Sequence, residues 1–174
     1  MTDPRYPIGR FEPPTSYDDA SREQCIAHIA HLPTAMRQAV AGLNDAQLNT
    51  PYREGGWTIR QVVHHVPDSH MHAYIRTKFA LAEEEPHIKA YDEGRWANFP
   101  DAKDLPVDVS LGVLEGLHKR WVTLFRSLGP SEFNRALHHP ENGRMTVDLV
   151  LALYSWHSRH HTAHITTARA KHGW

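Results

Sequence analysis

The chain has 174 residues, of which 40% are hydrophobic and 22% are charged, and its formal net charge is -1. These values suit one domain, residues 1–174, with a sizeable core, and they argue against a broad cationic surface for nucleic acid or anionic lipid. The sequence contains no run of 18 apolar residues, so no membrane span is predicted, and no secretory signal is expected. The single cysteine, Cys25, excludes an intrachain disulfide, and we therefore expect a cytoplasmic protein.

The first part of the chain predicts an irregular arm followed by one helix. Residues 1–17 are rich in proline and aromatic residues, and we expect them to pack on the domain. Apolar residues then recur on one helical face over residues 19–43. Pro33 lies inside this segment and is expected to kink or split the helix, because proline lacks the backbone N–H that the helix would use. Residues 48–56, which contain Pro51 and the pair Gly55-Gly56, are expected to form a loop.

A capping box marks the start of the second helix. Thr58 and Gln61 have the Thr-x-x-Gln spacing that satisfies two backbone N–H groups at a helix start. This helix is expected to reach about residue 82, with a kink at Pro67. The polar connection over residues 83–108 contains three prolines. A connection of this length usually has a function or contains a short helix of its own.

Two further helices complete the predicted fold. The third covers about residues 108–128 and is followed by the stop signals Gly129 and Pro130. After a predicted loop over residues 138–144, a fourth helix is capped by Thr146 and reaches about residue 171. Four amphipathic segments without a convincing strand pattern predict an all-α fold, a four-helix bundle.

The fourth helix carries the clearest chemical signal of a sequence that contains 15 histidines. On a helical wheel His157 and His161 lie in the middle of the apolar face, whereas His160 and His164 lie to one side. Residues four apart have Cβ atoms about 5–6 Å apart, so two imidazoles so placed can hold one ion. A structural role in the core is the alternative, but burying two polar rings without partners is costly. Ser158 stands where the His-Glu-x-x-His motif of zinc proteases has glutamate, so this helix lacks a built-in carboxylate base.

A third ligand is expected from the second helix, where the residue pattern leaves two candidates open. The apolar face of that helix is centred on His70, with His65 on its flank, so periodicity favours His70. A kink at Pro67, between the two, would shift the phase of the wheel, so the pattern alone does not choose.

Long blocks of the sequence resemble the YfiT group of the DinB superfamily, and the resemblance covers nearly the whole chain. The blocks include Tyr-Pro-Ile-Gly at residues 6–9, Arg-Glu-Gly-Gly-Trp-Thr at residues 53–58, Arg-Gln-Val-Val-His-His at residues 60–65, Asp-Ser-His-Met at residues 68–71, Tyr-Asp-Glu at residues 91–93 and Tyr-Ser-Trp-His-Ser-Arg-His-His-Thr-Ala-His-Ile at residues 154–165. The resemblance implies a four-helix bundle, commonly a homodimer, with one divalent metal per chain, zinc or nickel.

By this resemblance the metal ligands are His65, His157 and His161. It agrees with the wheel for the fourth helix and overrules it for the second. Pro67 departs from the family pattern, which usually has alanine there, and this departure puts the aim of the nearby His65 side chain in question.

Three neutral imidazoles leave at least one coordination position of a metal open. Such an ion lowers the pKa of a bound water toward about 7, or binds and ionises a thiol. The resemblance implies both classes: a metal-dependent hydrolase with metal-bound water as nucleophile on a small-molecule substrate, or an S-transferase using a low-molecular-weight thiol such as bacillithiol. A non-catalytic metal-binding stress protein is the third hypothesis.

Two further polar residues are candidate pocket residues. Arg60 lies in the first turn of the second helix, and Asp68 lies one turn after His65, where it would orient a ligand imidazole. For each residue a surface salt bridge is an equally weighted alternative. No residue is predicted as catalytic base, and neither a nucleic acid nor a membrane is an expected partner.

Overall fold

The computed structural model describes residues 3–174, and over that range the chain folds as a bundle of four long helices. In chain order the elements are α1 (Asp19–Val40), α2 (Asp45–Leu48), α3 (Ile59–Ala82), α4 (Glu93–Trp96), α5 (Pro100–Asp104), α6 (Val107–Arg126), α7 (Pro130–Phe133), β1 (Ala136–His139), β2 (Gly143–Thr146) and α8 (Val147–His172). The long helices α1, α3, α6 and α8 each pack against two others, in the cyclic order α1, α8, α3, α6. The predicted four-helix bundle is therefore confirmed. Over the same residues no helix combines the length and apolar character that a membrane crossing requires.

Side-chain caps fix where three of the long helices begin. Asp18 and Thr58 each close a capping box with the residue three positions on, and the hydroxyl of Thr146 accepts a hydrogen bond from the backbone of the third residue of α8. These contacts satisfy N–H groups that have no partner inside the helix, and each is worth about 1 kcal/mol. The second and fourth predicted helices accordingly start where the sequence indicated.

Neither internal proline splits its helix. Both α1 and α3 run without interruption through Pro33 and Pro67, so the split considered for the first helix does not occur. Residues on both sides of Pro33 are fully buried, namely Leu32 and Met36. Packing of this apolar face holds the helix together despite the missing hydrogen bond, because most helical stability in proteins comes from tertiary contacts.

The connection between α7 and α8 contains a short antiparallel hairpin, so the prediction of a loop over residues 138–144 is wrong. The register pairs Ala136 with Thr146, Leu137 with Met145, His138 with Arg144 and His139 with Gly143. Strands of four residues are too short to show a clear alternation in the sequence. His138 is half-buried, and its Nε2 lies 3.0 Å from the carboxylate of Glu85.

The core consists of two apolar clusters that a layer of histidines separates. Representative members are Trp121, Phe125 and Leu151 in the first cluster, and Met36, Val62 and Ile165 in the second. Along α3, α6 and α8, His70, His118, His157 and His161 lie between residues of the two clusters. We call these four side chains the histidine layer.

A buried ion pair joins α1 to the first turn of α8. Two guanidinium nitrogens of Arg22 each lie 2.8 Å from an oxygen of Asp148, whose side chain is almost fully buried. The same guanidinium also reaches Asp19 at 3.2 Å, but that carboxylate is 93% exposed. Paired hydrogen bonds between two charged groups in a buried setting are the strong class of such contacts.

Removing the buried carboxylate should therefore destabilise the bundle far more than removing the exposed one. We expect Asp148→Ala to lower the free energy of unfolding by about 3 kcal/mol, because Arg22 would keep its charge without its buried partner. Asp19→Ala is the matched control and should change little, since an exposed ion pair is weak. Urea unfolding followed by tryptophan fluorescence measures both variants, and equal losses would contradict this explanation.

Candidate metal centre

Three imidazoles from α3 and α8 converge near the middle of the bundle. One ring nitrogen from each of His65, His157 and His161 lies within 4.8 Å of the other two. The Nε2 atoms of His157 and His161 are 3.1 Å apart. A tetrahedral zinc ion with Zn–N distances of about 2.0–2.1 Å separates its nitrogen ligands by roughly 3.3 Å. The pair on α8 therefore already has the spacing of two ligands to one ion.

The helical repeat explains how these side chains meet. His157 and His161 are one turn apart on the same face of α8, and their ring centroids are 4.3 Å apart. His65 approaches from α3, and its ring centroid lies 5.6 Å from that of His157 and 4.9 Å from that of His161. Packing between α3 and α8 thus brings a third imidazole to the pair.

Burial keeps all three rings uncharged. His65 and His161 are 7% exposed, and His157 is partly exposed. Burial lowers the pKa of His65 to about 4 and lowers the pKa values of His157 and His161 well below the ordinary 6.5, with the neighbouring histidines adding to the effect. The neutral form is the one that binds a metal, so protons do not compete for these nitrogens near neutral pH.

Aromatic and hydroxyl groups surround the three rings. Trp57 packs against His65 with ring centroids 4.7 Å apart, and Tyr154 lies 5.3 Å from His157. The hydroxyl of Ser69 is 3.5 Å from Nε2 of His157 and 3.3 Å from the Tyr154 hydroxyl. The site therefore has an apolar wall beside His65 and two hydroxyl groups beside His157.

His70, which the periodicity of α3 favoured, lies behind His157 instead of among the converging nitrogens. Its Nε2 faces Nδ1 of His157 at 3.1 Å, and its Nδ1 faces Nε2 of His118 at 3.0 Å. His70 is fully buried, as the centre of an apolar helix face should be. The centre of the apolar face of α3 thus points into the core, and the rings of His65, His157 and His161 converge to one side of that centre.

Arg60 is held by contacts away from the three histidines. Its side-chain hydrogen bonds within residues 3–174 go to Asp45 at 2.6 Å, to Asn49 at 2.9 Å and to the backbone carbonyl of Leu105 at 2.9 Å. The guanidinium is buried, whereas its partner Asp45 is exposed. This arrangement ties the start of α3 to α2 and to the connection before α6.

Asp68 is half-buried on α3, one turn after His65. Burial raises its pKa to about 6, and the carboxylate of Asp101 adds to the rise. Over the described residues it forms no hydrogen bond with His65, His157 or His161; the Nδ1 atoms of His157 and His161 face other imidazoles instead.

A second histidine group, which the sequence did not indicate, adjoins the first. One ring nitrogen from each of His160, His161 and His164 lies within 4.8 Å of the others. His160 and His164 are buried, although the wheel placed them beside the apolar face. The irregular arm, described over residues 3–18 (residues 1–2 lie outside the described range), covers this side of α8, and the carbonyl of Arg5 accepts a hydrogen bond from His164.

Comparison with known proteins gives one family and one fold. The model of the DinB superfamily matches residues 28–165. A Bacillus cereus (strain ATCC 10987 / NRS 248) protein named "Putative metal-dependent hydrolase" is 51% identical over 174 residues, covering all of both chains. A Geobacillus thermodenitrificans (strain NG80-2) protein of the same name is 50% identical over 172 residues, covering 98% of this chain and 96% of that protein.

A solved structure is also similar over the full length. YfiT from Bacillus subtilis superposes with a TM-score of 0.97 at 44% sequence identity, and the match covers 99% of both chains. That protein is described as "a probable metal-dependent hydrolase with an unusual four-helix bundle topology".

Alanine substitutions should separate the three converging histidines from their neighbours. We expect His157→Ala and His161→Ala each to reduce bound zinc by at least about tenfold, because two imidazoles hold an ion weakly. His160→Ala is the matched control: it lies on the same helix and is equally buried, but its ring is outside the three converging nitrogens. Elemental analysis of purified variants with unchanged helical circular dichroism gives zinc per chain. Loss of zinc from His160→Ala together with retention of zinc by His161→Ala would contradict the assignment of His157 and His161 as the two zinc ligands on α8.

The carboxyl group of Asp68 should make stability depend on pH in a defined direction. Because its pKa is raised from 3.8 to about 6, the folded state holds this proton more tightly than the unfolded state. The free energy of unfolding should therefore fall as pH rises from about 4 to about 6. Asp68→Asn should abolish this contribution and stabilise the protein at pH 7 by on the order of 1 kcal/mol, since partial exposure screens the charge.

Urea unfolding at several pH values measures the effect of Asp68→Asn, with Asp104→Asn on the exposed surface of α5 as control. The Asp68 substitution should stabilise more at pH 7 than at pH 4, whereas the control should not. Destabilisation by Asp68→Asn at pH 7 would show that the carboxylate has a favourable partner in the folded state.

Proposed function

We propose that this protein is a metal-dependent hydrolase. The chain belongs to the DinB superfamily and, within it, to the YfiT-like group. One divalent ion per chain, zinc or nickel, is held by His65, His157 and His161. The substrate is a small molecule. The observation that carries the proposal is the convergence of three uncharged imidazoles from two helices.

The donor set fits such an ion. Imidazole nitrogen suits zinc and nickel, and three protein ligands leave a coordination position for another molecule, as in catalytic zinc sites. The 3.1 Å approach of Nε2 of His157 to Nε2 of His161 also fits. If both atoms carry lone pairs they repel each other, and a shared cation replaces that repulsion with attraction.

When bound, a divalent ion with an open position activates water for hydrolysis or ionises a thiol. The protein keeps three donors neutral through burial and aims them at one point. The apolar wall that Trp57 forms beside His65 limits access of solvent to that ring. The hydroxyl of Ser69, 3.5 Å from Nε2 of His157, is a candidate partner for a polar substrate group.

Asp68, half-buried on α3 one turn after His65, stays a candidate pocket residue. Arg60 supports the pocket indirectly, by holding the start of the helix that presents His65.

A thiol S-transferase is the second candidate. Ser158 stands between the two ligands of α8 where a zinc protease has its glutamate base. An ionised thiol is already a nucleophile and needs no such base. The same three imidazoles would then serve a low-molecular-weight thiol in place of water.

A paired assay distinguishes the two activities. Zinc-loaded protein is given chromogenic esters and amides without thiol and, separately, a chromogenic electrophile with bacillithiol or cysteine. We expect hydrolysis without thiol, reduced at least about a hundredfold in His157→Ala. Turnover that requires thiol would replace the hydrolase with the transferase. A zinc-loaded protein inactive in both assays would contradict a catalytic role and favour a metal-binding stress protein.

A further inference from the structure

The ligand nitrogens that face away from the proposed ion are part of two hydrogen-bonded chains. In the first chain, Nδ1 of His157 lies 3.1 Å from Nε2 of His70. Nδ1 of His70 lies 3.0 Å from Nε2 of His118, and Nδ1 of His118 lies 2.6 Å from the backbone carbonyl oxygen of Ile29. Two imidazoles, those of His70 and His118, thus connect the backbone of α1 to the proposed ligand His157 on α8.

The Ile29 carbonyl at the end of this hydrogen-bonded chain determines which ring nitrogen of each histidine carries the proton. A carbonyl oxygen only accepts, so His118 must donate from Nδ1. A neutral imidazole has one N–H, so Nε2 of His118 accepts and His70 donates from its own Nδ1. The same step makes Nε2 of His70 an acceptor and Nδ1 of His157 a donor. The lone pair of His157 is then on Nε2, the atom that faces His161.

His70 and His118 lie deep in the apolar interior, where a charged ring is costly, so both rings are neutral. His70 is fully buried and His118 is 2% exposed. Both rings face only other imidazoles and a backbone carbonyl, with no carboxylate among these partners to favour a positive charge, and burial lowers the pKa of His118 to about 4. Each ring therefore has one donor and one acceptor.

The second chain leads to the other ligand on α8 by the same logic. Nε2 of His164 lies 3.1 Å from the carbonyl oxygen of Arg5 and must donate to it. Nδ1 of His164 is then an acceptor, and Nδ1 of His161 lies 3.3 Å away as its donor. This leaves the lone pair of His161 on Nε2 as well. Two independent chains thus direct the lone pairs of His157 and His161 toward each other.

We propose that His118, His70 and His164 are positioning residues that fix the tautomers of His157 and His161, so that both present an Nε2 lone pair to the ion. The proposal rests on the metal centre proposed above. Metal-binding histidines usually donate their outer N–H to a carboxylate, a carbonyl or water. Here neutral imidazoles extend that contact to two backbone carbonyls, which avoids placing a charged group inside the bundle.

Substitutions at His70 test the first chain through zinc affinity. His70→Leu removes the acceptor for His157 and should raise the zinc Kd about 10–100-fold. His70→Gln should restore most of the affinity, because an amide can accept from His157 and donate to His118 at the same time. His164→Leu should weaken binding through the second chain to a similar extent. Competition with a chromophoric chelator, starting from metal-free full-length protein, measures each Kd.

His64→Leu is the matched control for these substitutions. His64 is buried on the same helix, and its nitrogens face Ser110 at 2.7 Å and the carbonyl of Leu105 at 3.0 Å, away from the ligands. Its zinc Kd should stay within about twofold of the wild type. Wild-type affinity in folded His70→Leu, or an equal loss in His64→Leu, would overturn the positioning role.

Imidazole nitrogen NMR keeps the proposal testable even if a variant fails to fold. Long-range proton–nitrogen spectra of the zinc-loaded wild type should place the N–H on Nδ1 in His118, His70, His157 and His161. An N–H on Nε2 of His157 or His161 in zinc-bound protein would overturn the two chains while leaving the metal centre intact. A wild-type protein that binds no zinc or nickel would overturn both proposals.

Discussion

Burying four imidazoles in the middle of a helical bundle is the constraint on which the rest of this structure depends. A buried polar ring costs free energy unless its nitrogens have partners. The histidine layer lies between two apolar clusters, and its partners come from all four long helices, including the carbonyl of Ile29 on α1. Sliding any of these helices along its neighbours would break contacts that water cannot replace.

The same constraint explains why the candidate site lies where it does. Both nitrogens of His70 face other members of the layer, whereas His118 faces His70 with one nitrogen and the carbonyl of Ile29 with the other. His157 and His161 each have one nitrogen facing another imidazole on the outer side, and their remaining nitrogens face each other and His65. A cation at that point would complete the pairing of the layer. The pairing that stabilises the bundle therefore also orients the donor atoms of the proposed metal centre.

Much of the fold was predictable from the sequence because its signals are local. The capping box at Thr58, the period of the apolar residues and the four-residue spacing of His157 and His161 all lie within a few turns of one helix. The hairpin was missed because its strands have only four residues. The split considered at Pro33 does not occur, since packing across the bundle outweighs one local defect.

The remainder of the site depends on contacts that no single segment contains. Periodicity identified His70 as the centre of its helix face, but only family resemblance selected His65, because the direction toward α8 is set by helix packing. His118 could have been noticed as a polar residue on the apolar stripe of the third helix, between Leu114 and Trp121. Its link to His157 through His70 is a tertiary contact that the sequence does not reveal.

X-ray absorption spectroscopy of the zinc-loaded protein tests the central claim most directly. The spectrum should show three imidazole nitrogens at about 2.0–2.1 Å from zinc, completed by an exchangeable light-atom ligand. Substituting Ala for His65 should reduce the imidazole contribution from three to two. Sulfur in the zinc shell, which would come from Cys25, or a fourth imidazole that closes the site, would contradict an open centre formed by His65, His157 and His161.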